Sequence, residues 1–227
     1  MKKIKQLLQH FKIKPRNQEA YLLAFTHASF NHDVKTTAHD YERLEFMGDA
    51  VIGFVVAQLT YRLHPQMNPG LMTKTRAKLV QGKNLATLAR FYQFDQYIRL
   101  GQSLENSSRM ISDRILEDVF EAFFGAVYLD QGLVFTVELL EKIFYDSVKN
   151  IDLTTVTDYK SQLQEAMQAE TQQAVTYVLD KTEGPAHDRT FTVSVIYNEV
   201  ILGSGKGKTK QQAEQMAAKL ALEKKAF

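Results

Sequence analysis

Residues 42–61 read ERLEFMGDAVIGFVVAQLTY, and the fold of the chain turns on how this stretch is read. Its first eight residues carry three carboxylates, Glu42, Glu45 and Asp49, spaced three and four apart. On a helix turning about 100° per residue, those side chains fall within roughly 60° of one another. The next eleven residues, 50–60, carry no charge. A helical segment that is apolar nearly all round is expected to be buried. Carboxylates gathered on such a helix lose hydration and raise one another's pKa values, so the arrangement calls for a cation. Oxygen-only ligands suit a hard divalent ion such as magnesium. The plainer reading is an acidic first turn, which helix N-termini favour on their own.

A second stretch weighs against the plainer reading. Residues 114–130, RILEDVFEAFFGAVYLD, again set carboxylates inside an apolar helical run, with Asp118 and Glu121 three apart on one face. Two such helices side by side would put four or five carboxylates around one cavity, which is a metal site. A di-iron carboxylate bundle is the rival oxygen-ligand site, but it uses Glu-x-x-His. No Glu in this chain is followed by His three positions later. His32-Asp33 and His39-Asp40 match the His-Asp pairs of metal phosphohydrolases only as dipeptides, and they read as ordinary residues of a polar segment.

With 227 residues, 44% of them hydrophobic and 24% charged, the chain is expected to be soluble and globular, with two domains. The absence of cysteine excludes disulfides and thiolate metal sites. The start, MKKIKQLLQHFKIK, lacks the continuous apolar core of a secretory signal. The apolar run of residues 50–60 falls short of the roughly 20 residues a bilayer span needs. A cytoplasmic protein without a membrane partner is expected. Net charge is only +2, but residues 71–114 hold eight basic side chains against three acidic ones. A polyanion could approach the acidic cavity over that segment.

Up to about residue 150 no strand is expected. Helices are predicted over residues 4–11, 18–25, 42–61, 71–91 (as a pair meeting near Gly82), 114–130 and 134–148. Residues 26–40 and 101–109 read as polar connections, and residues 150–157 as a linker. A helix is then predicted over residues 160–169, with strands over 175–179, 190–197 and 200–203. Asn198-Glu199 makes a tight turn, and a final helix runs from Thr209 as N-cap to about Lys225. The fold class is an all-α first domain, residues 1–149, then an α+β domain of order αβββα, residues 158–227.

ERLEFMGDAV, followed some seventy residues later by ILEDVFEAFFGAVYLD, resembles the signature pair of bacterial ribonuclease III. YKSQLQEAMQ, GPAHDRTFTVSV and GSGKGKTKQQAEQMAAKLAL resemble, in order, the parts of that family's double-stranded RNA-binding domain. The resemblance implies a magnesium-dependent endoribonuclease, with manganese able to substitute. Such an enzyme cuts double-stranded RNA to 5′-phosphates and 3′-hydroxyls with short 3′ overhangs, processing rRNA precursors and other structured transcripts. It implies Glu45, Asp49, Asp118 and Glu121 as metal ligands, Asp49 and Glu121 as catalytic residues, and Glu42 as a further acidic site residue. It also implies a homodimer formed by the signature helix. For RNA, it points to Ser161, Gln164 and Glu165 on the first helix of the second domain and to His187 in the loop between its first strands. Lys208, Thr209 and Lys210 stand where the last helix begins. The sequence departs from the family pattern at Gln211, where a second basic residue is usual, and at Leu71, where many members carry a glutamate. A different class of function, a non-catalytic RNA-binding dimer, would have no reason to keep the carboxylates.

Overall fold

The computed structural model describes residues 2–35, 39–102, 111–152, 158–171, 174–185 and 188–224. Most of the expected 101–109 connection and of the expected linker, and His187, lie outside them. The chain divides into two compact units, Met1–Ile151 and Asp152–Phe227.

The first unit is helical: α1 (Lys2–His10), α2 (Gln18–Ala24), α3 (Ala28–Asp33), α4 (Glu42–Leu63), α5 (Pro69–Leu79), α6 (Gly82–Phe91), α7 (Asp113–Gln131) and α8 (Leu133–Lys149), with a 3₁₀ turn at Phe94–Gln96. α3 and the 3₁₀ turn were not expected. ASFNHD has no apolar period, and α3 exists because the His27 ring caps it, Nδ1 accepting from the Ser29 amide at 3.1 Å.

α7 is the axis of the core. Phe120, Phe123 and Phe124 are wholly buried and interlock with Phe11, Phe25 and Phe94. Ring centroids lie 5.1 Å apart for Phe94 and Phe123 and 5.2 Å apart for Phe11 and Phe123. At the C-terminal end, Asp130 ties α7 to the start of the chain. It accepts from the amides of Arg16 (3.0 Å) and Asn17 (2.7 Å) and from the Tyr21 hydroxyl (2.7 Å). α4 packs on α5, α7 and α8. It is held to α8 by Arg62–Glu141 at 2.9 Å and by a 2.8 Å hydrogen bond between His64 Nε2 and the Val148 carbonyl.

Burial of α4 all round is not what the structure has. Val51, Ile52, Val55, Val56 and Leu59 face the core, but Phe46 (75% exposed), Phe54 (51%) and Tyr61 (73%) form a stripe open to solvent. Only one side of a helix can meet α7 and α8. At 22 residues α4 also reaches the length and hydropathy of a membrane span, beyond what the 50–60 run suggested. Its packed face makes it a core helix of this unit.

The second unit carries α9 (Tyr159–Thr171), β1 (Thr176–Glu183), β2 (Thr190–Tyr197), β3 (Val200–Gly207) and α10 (Lys210–Glu223). The strands form an antiparallel sheet in the order β1-β2-β3, with Val195 opposite Tyr177 and Gly203. Asn198 and Glu199 both have positive φ, 45° and 68°, as a two-residue hairpin turn requires. Both helices close on one face over Leu163, Met167, Val195, Leu202 and the alanines 217, 218 and 221. β1 and β3 run four residues beyond their expected ends. The GSGKG segment reads poorly as strand, yet its three glycines are what let β3 lie against Ala217 and Ala213.

Candidate active site

Two glycines set the distance between the acidic helices. A Cβ on Gly48 of α4 would overlap the Glu121 carbonyl of α7, and a Cβ on Gly125 would overlap the Leu44 carbonyl. The backbones therefore touch where the carboxylates project. Glu45 stands one turn before Gly48 on α4 and Asp49 directly after it; Glu121 and Asp118 stand one and two turns before Gly125 on α7.

Glu121 is the most enclosed of them, 9% exposed. Burial, then the charges of Asp49, Glu117, Glu45 and Asp118, push its pKa up to about 8. Glu45 is raised by burial, then by Asp118 and Glu42, with Arg114 acting the other way. Asp118 accepts from the Tyr41 hydroxyl at 3.0 Å, just before α4 begins. Burial and the Asp118 charge hold that phenol well above its ordinary pKa. Glu42 and Asp49 are exposed at the rim.

The carboxylates of both helices thus face one another through a shared field. They do not close a finished cage: among the described residues no three His, Cys, Asp or Glu side chains are gathered closely enough to hold an ion. Like charges repel at short range in a half-buried site. Even so, a buried carboxylate among four others, with oxygen donors only, is the electrostatic setting that a hard divalent cation relieves.

The sequence reading missed three contributors. Glu117 stands four residues before Glu121, a same-face spacing visible in ILEDVFE but passed over for Asp118. Arg114 is a nearby positive charge, and Tyr41 holds Asp118; both depend on tertiary contact.

In the second unit the expected RNA contacts are arrayed on α9 and at the start of α10. Ser161 donates to Asp158 at 2.6 Å, so its hydroxyl serves the N-terminus of α9. Gln164 is half-buried and accepts from the Val175 amide at 3.4 Å, while Glu165 is exposed. Thr209 and Gln212 form a capping box on α10, and Lys210 stands exposed at its first position. Lys208 reaches Asp188 at 2.6 Å. A pocket of about 560 Å³ opens here, lined by Tyr159, Lys206, Lys208, Thr209 and Gln211 among others.

The first unit is helical with clustered carboxylates, and the second is an αβββα domain whose last helix begins among lysines. Comparison with known proteins bears on both. Residues 17–148 match the Ribonuclease-III-like family and residues 159–225 match the double-stranded RNA binding motif. Ribonuclease 3 of Streptococcus mutans serotype c is 41% identical over 97% of this chain and 96% of its own length. That of Streptococcus pneumoniae serotype 19F is 38% identical over 99% and 97%. The solved nuclease domain of ribonuclease III from Campylobacter jejuni is 30% identical, covering 67% of this chain and all of that one, with a TM-score of 0.59. A second structure of that domain, described for flexibility in the region involved in its dimer formation, matches at 31% identity and a TM-score of 0.56. It covers 63% of this chain and 99% of its own. This chain belongs to the ribonuclease III family of endoribonucleases, and it carries a double-stranded RNA-binding domain.

Proposed function

We propose that the chain is a magnesium-dependent, homodimeric endoribonuclease that cuts both strands of duplex RNA. It leaves 5′-phosphates, 3′-hydroxyls and short 3′ overhangs, in the processing of rRNA precursors and other structured transcripts. Manganese can substitute. The observation that carries this reading is Glu121, 9% exposed and surrounded by the charges of Glu45, Asp49, Glu117 and Asp118. Glu45, Asp49, Asp118 and Glu121 hold the divalent ion, Asp49 and Glu121 lie nearest the chemistry, and Glu42 adds negative charge at the rim. When bound, the ion supplies a Lewis acid for the phosphoryl oxygen and lowers the pKa of a water.

The protein's part is placement. Tyr41 orients Asp118, and the Gly48–Gly125 contact fixes the spacing of the two carboxylate rows. Basic residues of α5 and α6 attract the phosphate backbone. In the second unit Lys208, Thr209 and Lys210 at the amino end of α10 meet phosphate, and Ser161, Gln164, Glu165 and His187 are the residues for 2′-hydroxyls of the minor grooves.

Dimerisation is supported by the Phe46, Phe54 and Tyr61 stripe, beside a mostly apolar hollow of about 430 Å³ lined by Phe54, Ala57, Tyr61 and Met72 among others. Stripes of this kind mark protein contacts. The test combines two measurements on the full chain. Long duplex RNA should be cleaved with magnesium and left intact in EDTA. Light scattering should return twice the 26.0 kDa chain mass, and Phe54→Asp should return the chain mass itself. Cleavage undiminished in EDTA removes the metal from the reading; a monomer that still cuts both strands removes the dimer.

A further inference from the structure

Glu117 is an acidic side chain that the four-carboxylate reading leaves unused. It lies one helical turn before Glu121, so both leave α7 on the same side. Its carboxylate rests over Gly82, the first residue of α6, where a Cβ would overlap Oε2. Glycine at that position is the space the carboxylate occupies. From there its charge bears on Glu45 and Glu121, and it feels Asp118 and Asp49 in turn, so it shares a field with all four proposed ligands. Among the described residues no group donates a hydrogen bond to the Glu121 carboxylate, 91% buried at the centre of this field.

A humbler use for Glu117 exists. The N-cap of α6, Gln81, makes no side-chain hydrogen bond, and an anion there would favour the helix dipole. Yet no backbone amide among the described residues donates to Glu117, which is how such an anion would be held. Half-buried, one turn from Glu121 on the same side of α7 and sharing a field with the other carboxylates, Glu117 fits the ion site better.

On the reading of that site as a divalent-ion centre, we propose that Glu117 is its fifth carboxylate, adding negative charge beside the four ligands and so strengthening the hold on the ion. The experiment is a magnesium titration of metal-free, full-length protein followed by thermal melting, with the magnesium midpoint for duplex cleavage as a second readout. Glu117→Gln should melt no lower than the parent without metal, because a like charge has been removed. Its magnesium-induced rise in Tm should be smaller, and its midpoint should move up about tenfold, the usual cost of losing a supporting group around a metal. Gly82→Ala keeps the charge but displaces the carboxylate. It should move the midpoint the same way without weakening α6, since alanine suits a helix better than glycine. The proposal is overturned if both variants keep the parental midpoint and magnesium-induced rise. Glu121→Gln in the same titration separates the two levels. If it loses the rise while Glu117→Gln and Gly82→Ala keep it, only the place of Glu117 falls; if it too keeps the rise, the ion-centre reading falls and Glu117 with it.

Discussion

Two buried carboxylates of α7, Glu121 in mid-helix and Asp130 near the C-terminal end, show how surroundings decide what the same functional group does. Burial and four neighbouring charges push Glu121 up to about 8, whereas Asp130 is held below its ordinary value. Burial also works against Asp130, but hydrogen bonds from Gln131, Tyr21, Asn17 and Arg16 outweigh it. The consequences run in opposite directions with pH. A raised carboxylate contributes stability that is full below its unfolded pKa, near 4.5, and lost as pH rises through about 8. Metal-free protein should therefore lose Tm between pH 5 and 8, and Glu121→Gln should flatten that slope while lowering cleavage by orders of magnitude. Duplex binding in calcium should persist in this variant. A parent Tm independent of pH across that range would contradict the buried charge cluster. A depressed carboxylate contributes stability present above its unfolded pKa, near 3.8, and lost as pH falls through the folded value. Asp130→Asn should cost about 1–3 kcal/mol at neutral pH by leaving buried donors poorly matched, and should blunt acid unfolding. Chemical denaturation at pH 7 and pH 3 checks both.

For the elements, the contact between α4 and α7 matters most. Gly48 and Gly125 face backbone carbonyls, which cannot swing aside as a side chain could. Gly48→Ala should therefore force the helices apart, costing about 1–3 kcal/mol as overpacking does. It should reduce cleavage more than its stability loss accounts for, because the two carboxylate rows separate. The comparison is single-turnover cleavage at a temperature where circular dichroism shows the variant fully folded. Parental activity there would mean the spacing of α4 and α7 is not what the chemistry needs.

Over the whole molecule, each unit has its own core: the aromatic cluster around α7 in the first, and the alanine-lined face of α10 against the sheet in the second. A chain ending at Asn150 should fold and, on the proposed dimer contact, still pair. It should cut duplex RNA at low salt with ample magnesium and lose activity as salt approaches physiological levels. Phosphate contacts release counterions, so removing the second unit removes salt-dependent affinity. Lys210→Ala in the full chain should show a milder defect, its slope of log affinity against log salt reduced by about one. Equal activity of truncated and full chains at every salt concentration would show that the second unit is not the main RNA anchor.

Much of this was legible in the chain itself. Local spacing placed Glu45 and Asp49 on one helical face and Asp118 and Glu121 on another, and alternation placed β2, because helix and strand periods are properties of consecutive residues. The hairpin turn at Asn198-Glu199 and the cap at Thr209 are likewise local chemistry. What spacing could not supply came from residues distant in sequence. α3 depends on the His27 ring as its cap. The far end of β3 depends on the alanines of α10, and that of β1 on pairing with the start of β2. The exposed stripe of α4 emerged only once α7 and α8 had taken its other side, since composition says how apolar a helix is but not which side is covered. Lys208 turned to Asp188, 20 residues away, through a contact that no single-helix periodicity encodes. Burial and electrostatic coupling are sums over neighbours in space, and those neighbours are assigned only when the chain has folded.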